Sequence, residues 1–167
     1  MKRKNIFIVV IVFIFIIASF YIIFGNNNER IIMNGKELSI QKGNTHWHPA
    51  LKIVIDGETV LIPDDIGYGT GRTIDTHLSG MRMSPIHTHE SDGTIHIENL
   101  NPAEKPETLT LGYFFYVWNE TFSATCIFDY CTDNGDLKMF VNGKDNNEFG
   151  NYIMHDGDDI LIQYTKN

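Results

Sequence analysis

Cysteine is scarce in this chain: two residues in 167, too few for a disulfide framework and enough for one bridge in an oxidising compartment. Positive charge is scarce as well. Lys and Arg number 13 against 21 Asp and Glu, a formal net charge of -8. Three of those cations, Lys2, Arg3 and Lys4, sit at the extreme N-terminus, so the rest of the chain is more acidic still. Such a body repels phosphate backbones, which argues against a nucleic-acid role and favours cations or basic partners. Also lacking are internal repeats, a heptad pattern, a Ser-His-Asp spacing, a phosphate-cradling loop and a dinucleotide motif. What remains is one domain's length of sequence with an appendage, one long apolar run and 7 His.

The run spans Ile6 to Phe24 and is apolar except for Ser19 and Tyr21. At 1.5 Å per residue it is long enough to cross the hydrocarbon core as a helix. Lys2-Arg3-Lys4 before it and Asn26-Asn27-Asn28-Glu29 after it orient the N-terminus to the cytoplasm and the body outside. The alternative is a cleaved signal peptide, but its apolar region is normally shorter and ends in a small-x-small site, where Ile17-Ala18-Ser19 has Ile at the wrong place. The expected organisation is residues 1–24 as a cytoplasmic basic tip and transmembrane anchor, 25–45 as a stalk with one short strand at Glu37–Gln41, and 46–167 as an extracytoplasmic domain. Asn119-Glu120-Thr121 is a formal glycosylation sequon at an expected helix end.

Within the body, Leu51–Ile55 and Glu58–Ile62 flank Asp56-Gly57 and predict a tight hairpin. Leu111, Phe114, Phe115 and Trp118 fall at i, i+3, i+4 and i+7, one buried helical face, with Thr108 or Thr110 as its cap. Leu137–Val141 ends at Asn142-Gly143-Lys144, and Asp159–Thr165 forms a last strand approached through Asp156-Gly157-Asp158. The fold class is α+β, a mixed sheet with one main helix.

The densest polar chemistry lies between hairpin and helix. In the segment from Ile86 to Glu98, alternation on both sides of Asp92-Gly93 predicts a two-residue turn. That register sets His89 opposite His96 and His87 opposite Glu98. Because side chains alternate along a strand, His87, His89, His96 and Glu98 then share one face, with Thr88 and Ile97 on the other. Imidazoles on directly opposed positions can reach a shared ion. His46-Trp47-His48 has the same i, i+2 spacing, and joins the cluster if the fold brings the two segments together. These six residues are the candidate metal ligands, for copper or zinc. Glu98 could ligate, support a ligand or act as a base. His77 and His155, being isolated, read as ordinary surface or hydrogen-bonded histidines. Met81 and Met83 lie upstream with His87's parity and could supply thioethers to Cu(I), or simply pack. Gly67-Tyr68-Gly69-Thr70-Gly71 reads as a flexible loop near the site. Cys126 and Cys131 predict a disulfide, with thiolate ligation as the alternative.

The order of elements, the Asp56-Gly57 turn, Val141-Asn142-Gly143-Lys144 and Asp156-Gly157-Asp158-Asp159-Ile160-Leu161-Ile162 resemble the β-grasp, or ubiquitin-like, fold of the small sulfur-carrier proteins, over residues 50–62 and 107–165. The resemblance implies a β-grasp-like sheet with an inserted His-bearing hairpin. Sulfur carriers end in Gly-Gly and this chain ends Tyr164-Thr165-Lys166-Asn167, so it does not imply carrier function. His46-Trp47-His48-Pro49, the His87–Glu98 motif and Leu111-Gly112 with Phe114-Phe115 and Trp118 also resemble a group of uncharacterised secreted or membrane-anchored archaeal and bacterial proteins, which implies one domain carrying these motifs. The likeness of His-x-His to a cupin stops at spacing, since Glu90 would face away. Three functions follow from the residues: an anchored extracytoplasmic metal-binding protein for copper or zinc handling; a metalloenzyme with three His on Zn, Cu or Fe and Glu98 or Glu90 as base; and an interaction module with a structural His network.

Overall fold

The computed structural model describes residues 28–167 except Asn34, together with Phe13 alone. The expected membrane span therefore lies, apart from that one residue, outside the described chain. Among the described residues no helix is long and apolar enough to cross a membrane.

The body is a mixed α+β unit, mostly sheet with one main helix. The predicted hairpin is present as β4 (Ala50–Ile55) and β5 (Glu58–Val60), although β5 stops two residues early. Ile62 turns into the core there while Leu61 stays exposed. These strands belong to a five-stranded sheet together with β10 (Gly135–Val141), β11 (Lys144–Asp145) and β12 (Asp159–Lys166), in the order β11-β10-β12-β4-β5. Its two central neighbours, β4 and β12, run parallel in the register Leu51↔Ile160, Ile53↔Ile162 and Ile55↔Tyr164. β10 adds Leu137, Met139 and Val141 on the same buried face. A sheet with only one apolar face must cover it. The cover is the helix Leu111–Trp118, here α2, whose Leu111, Phe114, Phe115 and Trp118 are buried in the same cluster as the strand residues. The Thr110 side chain caps it by accepting from the Tyr113 amide, and Asn119 ends it in the left-handed conformation, φ 70°.

Residues 28–45 differ from the expected stalk. β1 (Asn28–Met33) and β2 (Lys36–Gln41) form an antiparallel hairpin with Ile31 opposite Leu38. Ile40 is buried in the main core, Ile31 packs against it, and Lys36 Nζ lies 3.0 Å from Glu148 Oε1. The alternating apolar residues of this segment were legible as one strand only. That strand is β2; the missed one is β1, which is polar at its start and gains its inward face by pairing with β2.

Between β5 and α2 the chain builds a separate layer. It contains a single-turn helix, α1 (Thr76–Ser79), and the strands β6 (Ile86–His87) and β7 (His96–Asn99). The short strand β3 (Thr45–Trp47), just before β4, completes a three-stranded sheet in the order β3-β7-β6. β8 (Cys126–Ile127) and β9 (Tyr130–Cys131) make a small hairpin in the connection from α2 to β10. The predicted disulfide closes it, Cys126 to Cys131, which removes both thiolates from consideration as ligands.

Candidate metal centre

The middle strand of the three-stranded sheet carries the centre. Ile86 faces Ile97 across β6 and β7, and both are buried on the core side; the next pair, His87 and His96, faces the other way. On the opposite edge of β7, His46 of β3 pairs with Glu98. The side chains of His87, His96, His46 and Glu98 therefore share one face, and His48, just past the end of β3, lies beside them with its ring 4.8 Å from that of His96.

The expected register of the β6–β7 hairpin is wrong by two residues: His87, not His89, is opposite His96. The chain from Thr88 to Ile95 is a longer connection whose two halves pair elsewhere. On one side Leu51 N donates to Gly93 O at 2.9 Å and Ile95 N to Pro49 O at 2.9 Å, tying residues 93–95 to the start of β4. Backbone contact is so close that a Cβ on Gly93 would sit 2.4 Å from Leu51 O. On the other side the buried Thr88 donates its hydroxyl to Pro63 O at 2.8 Å and accepts from Ile66 N at 3.1 Å. A slip of two keeps every side chain on its face, whereas a slip of one would have inverted them all. The co-facing of His87, His96 and Glu98 survives for that reason, and His89, in a bend just past β6, is brought to them by the connection.

Two sets of potential ligand atoms result, each mutually within 4.8 Å: His87, His89, His96 and Glu98, and His46, His48 and His96. His87 forms the closed end, fully buried, while His89 is exposed and His96 and Glu98 are half-buried. His87 Nδ1 lies 3.0 Å from Ser84 O. A carbonyl can only accept, so Nδ1 carries the proton and Nε2 presents its lone pair. On His89, Nδ1 lies 3.4 Å from the Tyr68 hydroxyl. The Asp65 carboxylate beside that hydroxyl, together with burial, pushes the phenol up to about 12. The two Nε2 atoms meet at 3.2 Å. One ion bonded at about 2.0–2.1 Å to two donors at the tetrahedral angle would hold them about 3.3–3.4 Å apart.

The electrostatics favour the neutral form of His87 and His96. Burial pushes His87 down to about 4, outweighing the Ser84 carbonyl, and the neighbouring His89 acts in the same direction. His96 is also lowered, by burial first and then by His89 and His48. Its Nδ1 is buried without a hydrogen-bond partner. On the outer edge His46 Nε2 lies 3.3 Å from Glu98 Oε1, and His48 receives its backbone anchor from Asp156 Oδ1 at 2.9 Å. Three imidazoles and one carboxylate in the first set could hold a transition-metal ion.

The glycine-rich segment from Gly67 to Gly71 is a pinned strap rather than a flexible loop. Gly67 N bonds Thr70 O, the amides of Gly69 and Thr70 both bond Asp65 O, and Arg72 N bonds Val117 O at the end of α2. At Gly67, φ is +90° and a Cβ would lie 2.8 Å from Ile86 O and 3.1 Å from the His87 Cβ. The strap thus lies directly on β6, covers His87 and delivers Tyr68 to His89. Tyr68 and Asp65 were not singled out from the sequence, because an irregular loop has no periodicity from which to read a facing side chain. Met81 and Met83 occupy bends, not a strand, so the parity argument does not apply to them; their carbonyls are gathered by Ser79 Oγ. His77 lies 3.7 Å from Glu104, and His155 lies 3.5 Å from Asp158 and stacks on Trp47, both outside the two ligand sets. No protein-family model matches the chain, nor does any curated protein or solved structure.

Proposed function

We propose that this chain is a membrane-anchored extracytoplasmic metal-binding protein for zinc or copper, with His87, His89, His96 and Glu98 as ligands and His46 and His48 beside them. One observation carries the reading. His87 has committed Nδ1 to the Ser84 carbonyl, so its Nε2 lone pair faces Nε2 of His89 at 3.2 Å, with donor atoms of His96 and Glu98 in the same set. A cation shared by the two nitrogens turns that approach into coordination. Outer partners of this kind, a carbonyl on His87 and a tyrosine hydroxyl on His89, are how ligand rings are held in orientation. Imidazole and carboxylate donors suit zinc or Cu(II). Four protein donors in one set favour binding and holding an ion over catalysis at an open position.

The anchor and the compartment rest on the Ile6–Phe24 run, its charged flanks and the disulfide. The strand order, with its parallel central pair and the helix between the second and third strands of the sheet in sequence, supports a β-grasp-like core carrying the histidine layer as an insertion.

The test is elemental analysis of the full chain purified in detergent. A stoichiometric transition metal is expected, lost by at least tenfold in affinity in His87→Ala and His89→Ala. Parent protein that neither retains nor takes up zinc or copper would leave only the structural-network reading.

A further inference from the structure

The histidine layer has more donors than one ion can use. Donors bound to one ion at about 2.1 Å can be no more than about 4.2 Å apart, even when trans to each other. The six candidate atoms do not form one set within 4.8 Å; they form two, and His96 is the member common to both. The topology explains this. β7 is the middle strand, so its residues have β6 on one side, with His87 and His89, and β3 on the other, with His46 and His48. The rings form a continuous row: His46 to His48 at 4.7 Å, His48 to His96 at 4.8 Å, His96 to His89 at 4.6 Å and His89 to His87 at 4.8 Å.

We propose that this face holds two transition-metal ions, an inner one on His87, His89, His96 and Glu98 and an outer one on His46 and His48, with the imidazole of His96 bridging them. The inference rests on the metal-binding reading above and extends it to a second ion. Imidazole has two ring nitrogens; when its remaining N–H proton is released to solvent on metal binding, the resulting imidazolate can serve two ions at once. An ion on one nitrogen of His96 alone would leave the other without a partner, and Nδ1 is buried without one. Glu98, next along the same face of β7, already touches His46 on the outer side while belonging to the inner set. His46 and His48 are exposed, so the outer ion has an open approach from solvent and room for water ligands.

The experiment counts zinc bound to the full chain after dialysis and then repeats the loading with Cu(II) for electron paramagnetic resonance. The parent is expected to bind two equivalents, the outer one more weakly. His46→Ala/His48→Ala should bind one, with an unchanged metal-free melting temperature because both residues are exposed. Two Cu(II) ions bridged by His96 should couple, so the signal of the doubly loaded parent should fall well below that of two isolated ions, whereas the double variant should show one uncoupled ion. One equivalent in both proteins would overturn the second ion and leave the metal-binding reading intact. Two equivalents with full uncoupled signal would overturn the bridge. No binding to the parent would be the failure of the metal-binding reading itself.

Discussion

Thr88 shows how one hydroxyl can hold a metal face it does not belong to. On the register read from Asp92-Gly93 it lies on the far side and should be expendable. In the structure its side chain is fully buried, joining Pro63 O and Ile66 N to the start of the connection that carries His89. Thr88→Ala removes both hydrogen bonds and leaves the buried Ile66 amide without its partner, at about 1–3 kcal/mol, with a smaller cost at the half-buried Pro63 carbonyl. The variant is expected to melt several degrees below the parent and, because His89 loses its tether, to bind metal more weakly; Ile97→Val, a core change of one methylene, should cost about 0.5–1.5 kcal/mol and leave affinity unchanged. Thermal melts and a zinc titration on both variants decide it. Equal stability for Thr88→Ala and parent would show that the Pro63–Ile66 segment does not hold the site.

At the scale of elements, what could be read from the sequence was what period alone determines. The apolar face of α2 and the alternation of β4, β10 and β12 depend only on spacing along the chain, and all four lie where the pattern puts them. The shared face of His87, His96 and Glu98 was legible for the same reason, since parity tolerates an even slip, whereas His89 joins them from a bend. The partner of each strand was not legible. Residues 93–95 pair with the beginning of β4 and β3 pairs with β7, contacts decided by packing of segments about 40 to 55 residues apart in sequence. Tyr68 reaches the site through a loop without periodicity. The β8–β9 hairpin gives the element-scale prediction. Its bridge closes a loop of only a few residues, so the chain-entropy gain is smaller than for a long loop, on the order of 2 kcal/mol. Intact mass without reductant should be two hydrogens below the reduced form, and Cys126→Ser/Cys131→Ser should lower the melting temperature while leaving metal stoichiometry unchanged, because neither sulfur belongs to the ligand sets. A loss of bound metal in that double variant would reinstate the thiolates as ligands.

For the whole molecule, the buried imidazole of His87 couples folding to pH. In the folded chain burial holds its pKa at about 4, whereas in the unfolded chain it is about 6.5. Between those values the unfolded state binds more protons, so the stability of the metal-free protein should be full above about pH 6.5, fall as pH drops towards about 4 and level off below it. The maximum loss from this one group is on the order of 3 kcal/mol. His96, lowered for the same principal reason, acts in the same direction. Metal enlarges the effect. An ion present at 100 times its dissociation constant adds about 2.7 kcal/mol to the folded state, but only while the imidazoles are free of protons. The melting temperatures of zinc-loaded and metal-free protein should therefore differ by several degrees at pH 7.5 and converge by about pH 5, with the metal-free curve itself sloping downward. In His87→Gln that metal-free slope should flatten, because the buried titrating ring is gone. A zinc-induced shift that persisted undiminished at pH 4.5 would mean that carboxylates rather than imidazoles hold the ion, and would move the centre away from the face of β7.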